Sequence, residues 1–305
     1  MCTYRDDITR YRTTVMIRMT DTEIQAFRAA IAADWKELML SEPDEASVQR
    51  FLEDNPMLLP GAHEYSKAGN HPPFLGGVFR QARLEGLGID RYPDFLWLSK
   101  STVFIAPVCI EIERPDKRWF NNDGTMTADF TQAFNQLKQW KTWFSKPVNV
   151  TLFRQRYLGD LDSRFRHLKI EPHFVLIYGR QSEFEDPSTG LPLVDRTEMR
   201  ASWSGDDTTL LTYDSLRWSD RLESALTLNL KQSGDIEVVS IPASYSGALF
   251  ATAPAMLGSI DSALHRAPHM SSTRADVIRS HWANELDAAK RLRANLPHRA
   301  SSLLP

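Results

Sequence analysis

With 305 residues, of which 42% are hydrophobic, the chain is long enough for one large domain or two small ones with a well-packed core. Its formal net charge of -3 argues against bulk electrostatic attraction to nucleic acid. This charge does not exclude a local basic channel, because phosphate contacts depend on where Lys and Arg cluster. Two cysteines, Cys2 and Cys109, exclude a disulfide framework and favour a reducing compartment. The chain has no signal-peptide pattern and no run of about 18 apolar residues, so we expect a cytoplasmic protein without membrane spans.

The first 60 residues are predicted to form an N-terminal strand and a helical layer. Thr13–Met19 has the composition of a short strand. Apolar residues recur at helical spacing over Asp21–Leu40, and Ser41 with an acid three residues later predicts the start of a second helix that Asn55 ends. We expect these helices to pack against a sheet.

The segment from Leu58 to Tyr92 is rich in Pro, Gly and Asn and is predicted to be mostly loop. His63, Asn70 and His71 lie in it, but they lack the ligand spacing of a His-metal nuclease. Glu85 is either a further acid of a site or a solvated loop residue.

A predicted β-hairpin follows, and it carries the most informative residues of the chain. Phe95–Leu98 and Thr102–Ile112 are rich in β-branched and aromatic residues, and the polar Ser99–Ser101 separates them. Three carboxylates lie in or beside these strands, namely Asp94, Glu111 and Glu113.

The three acids are predicted to converge. Side chains of a strand alternate between faces, so Glu111 and Glu113 share a face with Cys109, and antiparallel pairing brings Asp94 beside that face. Converging carboxylates repel one another unless a cation neutralises them. Asp94, Glu111 and Glu113 therefore predict a metal site, the alternative being an exposed charged strand edge. Their hard oxygen ligands favour Mg²⁺ or Mn²⁺ over Zn²⁺.

A helix is predicted over Thr127–Phe144, with Gln136 at the border between its apolar and polar faces. An amide at that position either binds a phosphate or a metal-bound water, or faces solvent.

The remaining elements continue the alternation of helices and strands. A helix over Asn149–His167 carries four arginines that line a phosphate-binding groove or form a solvated face, namely Arg154, Arg156, Arg164 and Arg166. Further elements are predicted as strands at His173–Tyr178, Thr208–Thr212 and Asp235–Ile241, and as helices at Arg196–Trp203, Asp214–Leu228 and Ala251–Leu264.

A last helix is predicted over Ser272–Asn295, with Val277, Trp282, Leu286 and Ala289 on one side. It docks either on its own domain or on a neighbouring subunit.

Six segments in order resemble the Shedu anti-phage nuclease domain over Gln49 to Leu228. They are QRFLEDNP (Gln49–Pro56), YPDFLWL (Tyr92–Leu98), IEIERPDK (Ile110–Lys117), QAFNQLKQW (Gln132–Trp140), HFVLIYGR (His173–Arg180) and LTYDSL (Leu211–Leu216). The resemblance implies an α/β fold with a central mixed sheet flanked by helices, a PD-(D/E)XK nuclease-like core over 61–245 and helical additions over 1–60 and 246–305. It also implies a cytoplasmic defence protein that cuts phage DNA with a divalent metal and assembles into a homo-oligomer such as a tetramer.

The resemblance also assigns roles to individual residues. Asp94 matches the acid of the Pro-Asp motif, Glu111 matches the second acid, and Gln136 falls where the following helix usually presents a glutamine. Glu113 departs from the pattern, because Lys is the commoner residue there. A glutamate can act at that position only as a base or as a metal ligand. The alternative function is therefore a catalytically silent nuclease fold that binds DNA or a phage component as a sensor.

Overall fold

The computed structural model describes residues 18–60, 76–159, 165–185, 192–247 and 259–294. Within these residues the chain forms one mixed sheet with helices on both faces, which confirms the predicted α/β class. No helix in these ranges combines the length and the apolarity that a membrane span requires. The domain boundaries near residues 60 and 245 stay a prediction.

The described part of the sheet contains eight strands. They are β1 (Gly77–Arg80), β2 (Phe95–Lys100), β3 (Phe104–Ile112), β4 (Lys169–Ile170), β5 (His173–Ile177), β6 (Thr208–Leu211), β7 (Leu226–Leu230) and β8 (Ile236–Ser240). The order across the sheet is β6-β5-β3-β2-β1-β7-β8, and β4 pairs with the start of β3. Pairing is parallel between β3 and β5, β5 and β6, and β1 and β7, and antiparallel between β1 and β2, β2 and β3, and β7 and β8.

Seven α-helices are described around this sheet. They are α1 (Asp21–Leu40), α2 (Glu45–Asp54), α3 (Ala128–Phe144), α4 (Pro147–Tyr157), α5 (Leu193–Trp203), α6 (Asp261–Arg266) and α7 (Ser272–Ala294).

The alternation of side chains along β3 divides the interior into two cores. Val108, Ile110 and Ile112 pack with α1 and α2 on one face of the sheet. Cys109 on the other face packs with the apolar stripe of α3 and with α4 and α7. The predicted distribution of β3 side chains between two faces is thereby confirmed. Glu111, which lies between Ile110 and Ile112 in the strand, belongs to the α3 side.

The predicted hairpin is confirmed, with its turn displaced by two residues. Strand β2 continues to Lys100, and the side chain of Ser101 accepts hydrogen bonds from the backbone N–H groups of Val103 and Phe104. The start of α2 is also displaced, since Asp44 and not Ser41 caps the helix by accepting from Ser47 N–H at 2.8 Å.

The predicted helix over Asp214–Leu228 is wrong. Tyr213–Ser215 forms a single 3-10 turn, and the chain then enters β7, where Leu226 and Leu228 are buried. The apolar spacing of this segment fits both a helix and a strand. It forms a strand because β7 pairs with β1 on one side and with β8 on the other.

The predicted helix over Asn149–His167 ends early, at Tyr157. The guanidinium of Arg154 donates to the backbone carbonyls of Phe165 and Leu168, and that of Arg156 donates to those of Leu230 and Lys231. These two arginines therefore bind backbone oxygens of their own fold, which excludes them as free lining of a phosphate groove.

Helix α7 buries part of the predicted line of residues. Trp282 is buried in the α3-side core and Leu286 packs against that core, as predicted, whereas Val277 is 37% exposed and its neighbour Ile278 is buried. Several predictions lie wholly or partly outside the described residues, namely most of the strand at Thr13–Met19, the start of the helix at Ala251–Leu264, and His63, Asn70, His71 and Arg164.

Candidate active site

The pairing of β2 with β3 brings two acids together. Phe95 is the register partner of Ile110, so Asp94 stands opposite Glu111 at the end of the ladder. The backbone N–H of Ile112 donates to Asp94 Oδ2 at 2.9 Å and fixes the orientation of that carboxylate. The structure thus juxtaposes the two residues that the sequence predicted to converge from neighbouring strands.

The Asp94–Glu111 pair is electrostatically unfavourable as two charges. The pKa of Asp94 is raised to about 7, chiefly by burial and in addition by the charge of Glu45, while the hydrogen bond from Ile112 N–H acts to lower it. Burial also raises the pKa of Glu111 well above its ordinary value, and the charges of Asp94 and Glu113 add to the effect. A proton on one of the two carboxyl groups, or a cation beside them, would relieve the repulsion between the two charges.

Two oxygen atoms of the predicted site are buried without a hydrogen-bond donor among the described residues. They are Oε2 of Glu111, whose residue is 7% exposed, and Oε1 of Gln136. Gln136 is half-buried, so it does not belong to the solvent-facing side of α3, although no hydrogen bond joins it to either acid within the described ranges. Buried oxygens without a donor are the ligand type that a hard divalent cation or a bound water satisfies.

Glu113 is engaged differently from the other two acids. Its Oε2 accepts from Lys117 Nζ at 2.5 Å, and its backbone carbonyl accepts from the hydroxyl of Tyr213 at 2.5 Å. Across the described ranges, no three His, Cys, Asp or Glu side chains are grouped in a way that would by themselves hold a metal ion. The structure therefore brings Asp94 and Glu111 together and pairs Glu113 with a lysine.

Glu45 is a fourth acid of the cluster that sequence reasoning missed. It occupies the first position of α2, and burial together with the charge of Glu113 raises its pKa. It also raises the pKa of Asp94 and of Glu111. Glutamate is ordinary in the first turn of a helix, so no spacing in the sequence identifies it.

Lys117 is the second residue that sequence reasoning missed. Burial acts to lower the pKa of its ammonium group, but the hydrogen bond and charge of Glu113 outweigh burial and raise that pKa. The only visible signal was its position in RPDK, directly after the acid strand. Glu85, considered as a further acid, is exposed.

The metal ligands that the sequence predicted are compatible with this geometry in part. Asp94 and Glu111 offer hard oxygens in a buried position where none of the described lysines or arginines pairs with them, and Gln136 offers a neutral oxygen. Glu113 would join them only after leaving Lys117.

Comparison with known protein families gives one match. A family model described as Shedu protein SduA, C-terminal, matches residues 42–217, which include Glu45, Asp94, Glu111 and Gln136. A search of curated proteins finds no match. Because the matched segment covers more than half of the chain and contains the whole acid cluster, the chain belongs to the Shedu SduA family, which implies a role in anti-phage defence.

Proposed function

We propose that the protein is a Mg²⁺- or Mn²⁺-dependent DNA endonuclease that hydrolyses phosphodiester bonds of phage DNA. The observation that carries this proposal is the buried Asp94–Glu111 pair, which forms no ion pair with a cationic side chain in the described ranges and is destabilised as a pair of charges. Groups arranged at a cost to stability are characteristic of functional sites. Family membership supports the same proposal.

Asp94 and Glu111 would hold the divalent cation, and Gln136 would contribute its buried amide oxygen there or to a bound water. When bound, such a cation neutralises charge on the phosphate and lowers the pKa of a coordinated water. The Ile112 N–H group donates to Asp94 Oδ2 and so restrains the Asp94 carboxylate, which reduces the reorganisation that this ligand needs on binding.

Glu113 and Lys117 would handle the proton and the charge of the reaction. The Glu113 carboxylate accepts a proton from the attacking water, and the Lys117 ammonium beside it stabilises negative charge that develops on the phosphate. In this arrangement Lys117 supplies the positive charge that a lysine at position 113 would otherwise bring. Tyr213 holds the backbone of Glu113 through its hydroxyl.

The proposal is tested with purified full-length protein, supercoiled and linear DNA, and Mg²⁺, Mn²⁺ or EDTA. We expect cleavage that requires the metal and that falls by about 10²–10³-fold in Glu111→Gln, because the variant keeps the shape of the side chain and loses the charge. Glu85→Gln is the matched control, since Glu85 is exposed and lies outside the acid cluster. Undiminished cutting by Glu111→Gln would remove the site proposed above.

A second candidate function is a catalytically silent sensor that binds DNA or a phage component. Two observations favour it, namely Glu113 where lysine is commoner and the pairing of Glu113 with Lys117. A wild-type protein that binds DNA but cuts no form of it with either metal would support the sensor. We also propose a cytoplasmic homo-oligomer, tetrameric by analogy with the family, which measurement of mass in solution tests.

A further inference from the structure

A groove that encloses about 460 Å³ lies on the outer side of α3. It is lined by α3, by the segment 87–91 and by residues 146 and 149 at the start of α4. Its volume falls within the range of about 300–1,000 Å³ that is usual for ligand sites. It is distinct from the Asp94–Glu111 pair, because neither acid lines it.

The charge of the groove has one sign. Arg91, Lys138 and Lys146 line it, and no Asp or Glu does. None of the three cations forms an ion pair with an acid in the described part of the chain, although the Lys138 ammonium lies 4.7 Å from the centre of the Phe134 ring. In a protein with a formal net charge of -3, three unneutralised cations in one concave surface mark a site for an anion.

The neutral residues of the groove suit an anion that also carries apolar surface. Leu87 and Ile89 are 74% and 64% exposed, which is unusual for side chains of this size. Asn135, Gln139 and Thr142 also line the groove and are exposed, so their polar side chains are accessible to a ligand. Such a combination of cations, hydrogen-bonding groups and apolar contacts is what a sugar-phosphate backbone with its bases requires.

The groove and the acid site draw residues from the same two segments of the chain. Arg91 lies three residues before Asp94, and the groove residues Asn135 and Gln139 lie one and three residues from Gln136 on α3. From Asn135 to Lys146 the lining follows the helical direction for about 16 Å, at about 1.5 Å per residue. That length accommodates several consecutive phosphates of an extended strand.

We propose that this groove binds the sugar-phosphate backbone of a DNA strand and leads it to the acid cluster. Arg91, Lys138 and Lys146 contact phosphates, and Leu87 and Ile89 contact sugars and bases. The choice of DNA as the occupant rests on the proposed function, whereas the preference for a polyanion rests on the charge of the groove.

The first test measures the affinity of full-length protein for fluorescent DNA in EDTA, where no cutting is needed. We expect the triple variant Arg91→Ala, Lys138→Ala, Lys146→Ala to bind about 10–100-fold more weakly at low salt. The slope of log affinity against log salt should fall in magnitude by about 2–3, since each lost phosphate contact contributes about 0.7–0.9. Thermal unfolding of the variant confirms that it is folded.

A matched control removes the same number of Lys and Arg charges elsewhere. Arg18, Lys36 and Lys169 are exposed and do not line the groove, so their triple alanine variant should bind DNA as the wild type does. Equal weakening by both triple variants would mean that net charge alone governs binding, and it would overturn the proposal.

A second test does not depend on affinity. Thr142 lines the groove and is exposed, so Thr142→Cys, made in a Cys2→Ser background and labelled with a photo-crosslinker, should crosslink to DNA. Cys109 is buried and should not react. Lys36→Cys on α1 is the control and should give no crosslink.

The outcomes separate this proposal from the nuclease proposal. Groove variants that bind DNA normally while the wild type cuts it would refute the groove and leave the nuclease intact. A wild type that binds through the groove but never cuts would refute only the nuclease. Absence of DNA binding by the wild type at low salt would refute the groove outright.

Discussion

Two pairs of neighbouring acids lie in the interior of this protein, and their surroundings differ. Glu53, which is 3% exposed, and Asp54 stand beside Arg80 and Arg266, with nitrogen to oxygen distances of 2.5–3.1 Å. Asp94 and Glu111 are also withdrawn from solvent, but no cationic side chain pairs with them in the described ranges. Charge balance therefore separates a pair that is neutralised within the fold from a pair that we propose binds a divalent cation.

The first prediction concerns Arg266, which forms ion pairs with Glu53 and Asp54. Arg266→Met leaves Asp54 without its partner and Glu53 with Arg80 alone, so we expect the free energy of unfolding to fall by roughly 2–3 kcal/mol. The loss is smaller than the roughly 3–5 kcal/mol of a fully buried pair because Arg80 remains. Chemical denaturation measures it.

Arg279→Met is the control for that prediction. Arg279 pairs with Asp261 and Asp276 at the surface, where both acids are largely exposed, and its loss should cost less than about 1 kcal/mol. If the two variants lose the same stability, the pair at Glu53 contributes no more than a surface pair.

The second prediction removes one of the two negative charges of the Asp94–Glu111 pair. Asp94→Asn should raise the free energy of unfolding of the metal-free protein by about 1–2 kcal/mol at pH 8, because one of two buried charges is removed. On the proposed function Mg²⁺ should raise the melting temperature of the wild type, and Asp94→Asn should lose that rise.

The stability that Asp94→Asn gains should depend on pH, and the raised pKa of Asp94 determines the direction of that dependence. That pKa is raised from 3.8 to about 7 on folding, so between these values the native state holds a proton that the unfolded state has released. The stability contributed by this proton is present at low pH and is lost as the pH rises through about 7. Asp94→Asn should therefore gain little at pH 4 and most at pH 8.

His173 also makes the stability of the protein depend on pH, but it does so equally in the wild type and in Asp94→Asn, so its contribution cancels in the difference between them. Burial lowers the pKa of His173 to about 4, so its neutral form stabilises the fold above pH 6.5 and that contribution is lost as the pH falls. A difference between wild type and Asp94→Asn that stays constant from pH 4 to pH 8 would show that Asp94 titrates normally.

The third prediction has the smallest effect on stability. Lys117→Met breaks a partly exposed pair with Glu113, so the free energy of unfolding should change by less than about 1 kcal/mol. The cleavage rate should nevertheless fall by roughly 10–100-fold, because the ammonium stabilises charge only as the reaction proceeds. Lys117→Arg should recover part of the rate, and an unchanged rate in Lys117→Met would exclude Lys117 from the reaction.

Sequence reasoning succeeded where the determining contacts are local. Asp94 and Glu111 lie on paired strands joined by a short turn, so alternation and antiparallel register suffice to bring them together. Alternation also gives the direction of Glu113, but not its hydrogen bond with Lys117, which depends on the loop that follows β3.

The missed features depend on packing between distant segments. Glu45 belongs to α2, which packs on the face of the sheet opposite α3, yet the start of that helix comes close to Glu113, and nothing in the sequence of α2 signals this. The segment at Leu226–Leu230 became a strand and not a helix because β1 and β8 offer it backbone partners. Pairing over such sequence separations is not encoded in local periodicity.

The parallel pairing of β1 with β7 limits how the chain can be shortened. The family match ends at residue 217, whereas β7 begins at Leu226 and covers the side of β1 that β2 leaves free. A fragment that stops at the family boundary would keep every acid of the cluster. It would also leave one edge of β1 without its strand partner, and an exposed strand edge promotes aggregation. Fragments meant for crystallisation or for assays in infected cells should therefore extend at least through Ser240, the end of β8.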